Sequence, residues 1–139
     1  MGSYEATIRT ATDHQGAVDP ADVILKHHRA GRVHVTAELL TGGHLLHLAV
    51  AGCLFNNILR TAGERDITVR ELEVSAAGSF EGEPTVSTGV TYSVRLAADA
   101  SDDDLRQLVR ECEAESAIGL TLRRGVAVEA DEIEIRGSG

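Results

Sequence analysis

The chain has no tryptophan, two tyrosines and two phenylalanines, so only 3% of its 139 residues are aromatic. Stacking on nucleic-acid bases needs aromatic platforms, and this sequence has almost none to offer. The core must therefore be aliphatic. Positive charge is also scarce: 13 Lys and Arg stand against 22 Asp and Glu, a formal net charge of −9 at pH 7. Affinity for nucleic acid comes mainly from Lys and Arg on phosphates, so that partner class is disfavoured. Nor does a basic run offer a seat for an anionic membrane surface. Two cysteines, Cys53 and Cys112, are too few for a disulfide framework. The opening Met1–Thr7 lacks an apolar signal core, which points away from secretion. The apolar stretch Leu45–Leu59 is short for a bilayer and is interrupted by Asn56 and Asn57. The expectation is an acidic cytoplasmic protein. In that reducing compartment a cysteine pair is more often catalytic or incidental than structural.

A length of 139 residues suits a single domain spanning residues 1–139. Such a chain buries about 68% of the surface its unfolded form exposes, so it needs neither metal nor disulfide to fold. Alternation predicts strands over Tyr4–Ala11, Val23–Leu25 and Arg32–Leu39, with turns at Asp13–Gly16 and around His27–Arg32. Thr41-Gly-Gly43 breaks that pattern. A helix is predicted from His44 to about Ala62, with Gly63 as its stop. Ile67–Phe80 and Val86–Leu96 read as a long hairpin around Glu81-Gly-Glu-Pro-Thr85. Ser101 followed by Asp104 is a capping pattern and opens a second helix, predicted to end near Ile118-Gly119. Val126–Arg136 alternates and is predicted to close the chain as a strand. The expected class is α+β with an antiparallel sheet.

Cys53 sits inside the longest apolar run, His44–Phe55, with Ala49, Ala51 and Gly52 just before it. A thiol there is either small core filler or a reactive group in a shielded pocket. Cys112 lies on the apolar face of the second helix and reads as a core residue or a partner for Cys53. His44 and His47 are spaced i, i+3 and could share a metal, but no HExxH or Cys-x-x-Cys accompanies them. They read otherwise as pocket-lining or proton-handling groups. Asn57, one turn after Cys53 on its face, needs a buried partner or a route to solvent. The His44–Ala62 helix is apolar on nearly all sides, more than one small domain can cover, so a second copy of the chain is the expected cover.

The order of elements and the run Leu45-Leu46…Ala49-Val-Ala-Gly-Cys53 resemble the OsmC/Ohr family of hydroperoxide-detoxifying proteins. Thr61-Ala-Gly-Glu-Arg-Asp-Ile67, Leu72-Glu-Val-Ser75 and the opening Tyr4-Glu-Ala-Thr7…Thr10-Ala-Thr12 add to the likeness. The resemblance implies an intertwined homodimer in which antiparallel sheets wrap buried central helices. It implies reduction of organic hydroperoxides with Cys53 as nucleophile, an external thiol as reductant, and no metal, haem, flavin or other cofactor. Cys112 is then the candidate resolving cysteine, although the family's second cysteine maps to about Ala117-Ile118. The family's Glu, ten residues before the reactive cysteine, maps to Gly43. The supporting Arg maps to the Asp13–Gly16 turn, where there is none. An unassisted thiol near pKa 8.5 is only about 3% thiolate at pH 7, so a cation must be supplied. Arg9, Arg29 and Arg32 are the candidates for it. The alternative reading is a non-catalytic dimer of the same fold that binds a small apolar ligand.

Overall fold

The computed structural model describes residues 4–11 and 22–137; the Asp13–Gly16 turn lies outside them. Five antiparallel strands form one sheet in the order β2-β3-β1-β4-β5. They are β1 (Ala6–Thr10), β2 (Asp22–His27), β3 (Gly31–Ala37), β4 (Val69–Glu81) and β5 (Val86–Ala98). The helices are α1 (Gly42–Glu64), α2 (Asp102–Ala114) and α3 (Ala117–Arg124). The expected antiparallel α+β class holds. Register explains the core: Val35, Ile8, Val74 and Val94 lie in one row across four strands. Because side chains alternate across a strand, that row faces one way. Leu54, Phe55 and Ile58 of α1 close over it, each at most 2% exposed.

α1 begins where Thr41 turns extended and its hydroxyl accepts the His44 backbone N–H at 3.2 Å. Gly63 does not stop it, contrary to expectation; it lies within the helix. The end comes at Asp66, whose φ of 55° is left-handed. There Ile67 N–H reaches back to the Ala62 carbonyl at 2.9 Å, and Asp66 N–H to Gly63 at 3.2 Å. This is the paired closure that a left-handed residue makes after a helix. At 23 residues α1 is long and apolar enough to cross a bilayer, so shortness does not exclude it. Half of its apolar window is buried within the fold, as expected of a core helix.

Two elements differ from the sequence expectation. The second helix is two helices, because Ser116 interrupts it. The Ser116 hydroxyl accepts the Gly119 N–H at 3.3 Å and starts α3, so α2 ends at Ala114. The predicted strand Val126–Arg136 is not a strand in this fold. Among the described residues it has no ladder partner, and Val126, Val128, Ile133 and Ile135 are all exposed, Val128 at 89%. Alternation marks a segment suited to pairing but cannot supply the partner.

The sheet's far face carries a polar knot. Asp22 of β2 is covered and accepts from Arg9 at 2.5 Å and from the Thr36 hydroxyl, with His34 Nδ1 at 3.5 Å. Burial works against its ionised form, but the Thr36 hydroxyl and the nearby Arg9 and His34 outweigh it and hold the carboxyl below its ordinary value. A carboxyl depressed in the folded state contributes stability that is present above about pH 4 and is lost as pH falls through the folded value. Asp22→Asn should therefore cost about 2 kcal/mol at pH 7. Urea titrations of both proteins should show the gap narrowing below about pH 4.

Candidate functional site

α1 is packed between the sheet and the α2–α3 pair, and Cys53 is on the side turned to α3. The Ser116 hydroxyl donates to Cys53 Sγ at 3.4 Å. Cys53 is half-buried, whereas Ser116 is 7% exposed. Val50 and Leu46, one and two turns earlier on the same side of α1, wall a groove of about 410 Å³. Its other walls are Val90 and Tyr92 of β5 and Leu122 of α3, with Arg123 at the rim. A smaller space next to Ser116 is lined by Leu54, Tyr92, Glu113 and Arg123. The Tyr92 hydroxyl titrates above its ordinary value, first through burial and then through the Glu113 carboxylate, with Arg123 partly offsetting both. A thiol, a hydroxyl pointed at it, an apolar wall and a cation thus share one side of the molecule.

Cys112 is elsewhere. It is 1% exposed, and its thiol donates to the Thr61 hydroxyl at 3.5 Å. Thr61 is about 12 Å along the α1 axis from Cys53. Burial pushes the Cys112 thiol up. Its geometry is that of a core cysteine, and it does not come opposite Cys53. The position beside Cys53 belongs to Ser116, one residue before the Ala117-Ile118 site that the resemblance marks for a second cysteine.

The expected cations are corrected too. Ile8 and Val33 face α1, so Arg9 and Arg32 next to them point to the far side of the sheet. Arg9 is committed there to Asp22. Arg29 is in the β2–β3 turn, beside Leu59 and Gly63 at the far end of α1. None of the three stands beside Cys53 of its own chain. Arg123, which sequence reasoning missed together with Tyr92, Glu113 and Ser116, lines both the groove and the smaller space next to Ser116. The Ser116-x-x-Gly119 start of α3 was the available signal.

His44 and His47 lie about half a turn and a third of a turn around α1 from Cys53, toward the sheet. His44 Nδ1 is 2.7 Å from the Thr41 hydroxyl, and its ring meets Tyr4 edge-on. His47 is fully buried with Nδ1 2.6 Å from the Gly43 carbonyl, while its Nε2 is unpartnered. Among the described residues no third ligand joins them for a metal. Asn57 is buried, one turn from Cys53. His47 fits because Gly78 of β4 has no side chain. A Cβ there would lie 2.6 Å from His47 Nε2 and would collide with the Gly89 carbonyl. Gly78→Ala should therefore cost about 1–3 kcal/mol through overpacking, read as a lowered urea midpoint.

A family model described as OsmC-like protein matches residues 35–131, so the chain belongs to the OsmC-like family. Among solved structures, an OsmC-like hydroperoxide resistance protein from Jannaschia sp. CCS1 is similar, with a TM-score of 0.55 and 16% identity. The alignment covers 91% of this chain and 90% of that one. An OsmC-like protein of unknown function from Vibrio cholerae aligns over 56% of this chain and 55% of that one, with a TM-score of 0.44 and 12% identity. No curated protein matches the sequence.

Proposed function

We propose that this protein reduces organic hydroperoxides through Cys53, working as a one-cysteine peroxidase with an external thiol. Membership of the OsmC-like family supports a general role in peroxide resistance, and the similar protein from Jannaschia is described as a hydroperoxide resistance protein. The observation that carries the reading is the half-buried Cys53 with the Ser116 hydroxyl pointed at its sulfur beside an apolar groove. The Cys53 thiolate attacks the outer peroxide oxygen. An S–O bond forms, the O–O bond breaks, and the alkoxide leaves as the alcohol after taking a proton. The sulfur is oxidised to sulfenic acid. An external thiol then displaces water to give a mixed disulfide, and a second one releases Cys53. Cys112 takes no part, since it sits against Thr61.

The working unit is a cytoplasmic homodimer. Among the described residues three apolar surfaces are exposed: Val23 and Leu25 on β2, the Leu45–Ala49 stripe of α1, and the alternating Val126–Ile135 tail. A second copy offers each of them a complementary surface. Peroxide consumption with dithiothreitol as reductant tests the activity, and sedimentation equilibrium tests the dimer. Steady turnover by a species of twice the chain mass is expected. The groove also favours a second reading, a non-catalytic dimer that holds a small apolar ligand. Absence of turnover, with a melting temperature raised by such a ligand, would favour that reading.

A further inference from the structure

The geometry points to Ser116 as the positioning residue that fixes a hydrogen-bond donor on the Cys53 sulfur, linking the start of α3 to it. The inference rests on Cys53 being the reacting thiol. The Ser116 oxygen accepts the Gly119 N–H at 3.3 Å, which leaves its own hydrogen for Cys53 Sγ at 3.4 Å. The hydroxyl is thus oriented from behind by the helix it caps. A thiolate can only accept, so a fixed donor on the sulfur favours the charged form. The partial positive charge at a helix start acts in the same direction, through Ser116. Burial of Ser116 keeps water from taking its place. The charged and titratable groups around this contact are Glu113 and Arg123, with Tyr92 from β5, and Glu115 facing Arg60 of α1 at 4.0 Å. The histidines of α1, His44 and His47, are turned to the sheet side.

The test is the pH profile of Cys53 alkylation by iodoacetamide, read at that site by mass spectrometry in the whole protein. Alkylation needs no peroxide, so the result does not depend on turnover. Ser116→Ala should move the profile to higher pH and slow alkylation at pH 7 by about three- to tenfold. Ser116→Gly guards against a folding failure, because glycine still starts a helix at little cost. It should behave like Ser116→Ala, while Ser116→Thr, which keeps the hydroxyl, should stay near the parent. A purely structural cap would lower thermal stability and leave the profile in place. An unmoved profile in folded Ser116→Ala and Ser116→Gly overturns the inference even if the protein is a peroxidase. A moved profile in a protein without hydroperoxide turnover upholds it and overturns the peroxidase reading alone.

Discussion

Cys53→Ser should lose hydroperoxide turnover by at least about a thousandfold in kcat/KM, because no other described group can replace its sulfur as nucleophile. The substitution is small, and the side chain is only half-buried, so the fold should persist and the melting curve should move little. Cys112→Ser is the matched control. It alters a 1%-exposed residue that meets Thr61 and not Cys53. It should cost some stability and leave kcat/KM within about twofold, since a group outside the reacting constellation changes no transition-state contact. Both variants are assayed for consumption of cumene hydroperoxide with dithiothreitol. Equal losses from the two substitutions would mean that both thiols cycle, which the Cys112–Thr61 contact does not accommodate.

Phe55→Ala should be the most destabilising single change. Phe55 is fully buried on the sheet side of α1, and its ring stands edge-on to His27 with centroids 5.4 Å apart. Among the described residues it is the one phenylalanine in the buried core, which is otherwise mostly aliphatic. Removing it leaves a cavity that Leu54 and Ile58 cannot fill from their fixed positions on the helix. The cost should be about 3–5 kcal/mol, a large share of the roughly 5–15 kcal/mol that holds a domain together. Urea unfolding followed by circular dichroism measures it. A loss below about 1 kcal/mol would show that α1 does not rest on the sheet through this face.

These two residues also show what the sequence made legible. The apolar run around Phe55 announced a buried helix, and Thr41-Gly-Gly43 announced its start. Ile67–Phe80 and Val86–Leu96 announced a hairpin through the Gly and Pro between them. Each is a local signal, set by nearest neighbours along the chain. The site was less legible because it joins α1 to α3 across distant stretches of sequence. Ser116 looked like one residue of a continuing helix, since an i, i+3 cap is easily hidden by helix formers on both sides. Arg9 and Arg32 were poor candidates for a reason already present in the pattern: if Ile8 and Val33 face the helix, their neighbours must face away. The Val126–Ile135 alternation described a surface correctly and its pairing incorrectly, because a strand also needs an edge to join.

The most direct measurement is the intact mass of the reduced protein after one equivalent of an organic hydroperoxide, with remaining thiols blocked and the site mapped by peptide mass. One added oxygen on Cys53, with Cys112 still a free thiol, is the predicted result. A Cys53–Cys112 disulfide would contradict the one-cysteine account and the placement of Cys112 against Thr61. Two untouched thiols would contradict the peroxidase itself and leave the ligand-binding dimer as the better description.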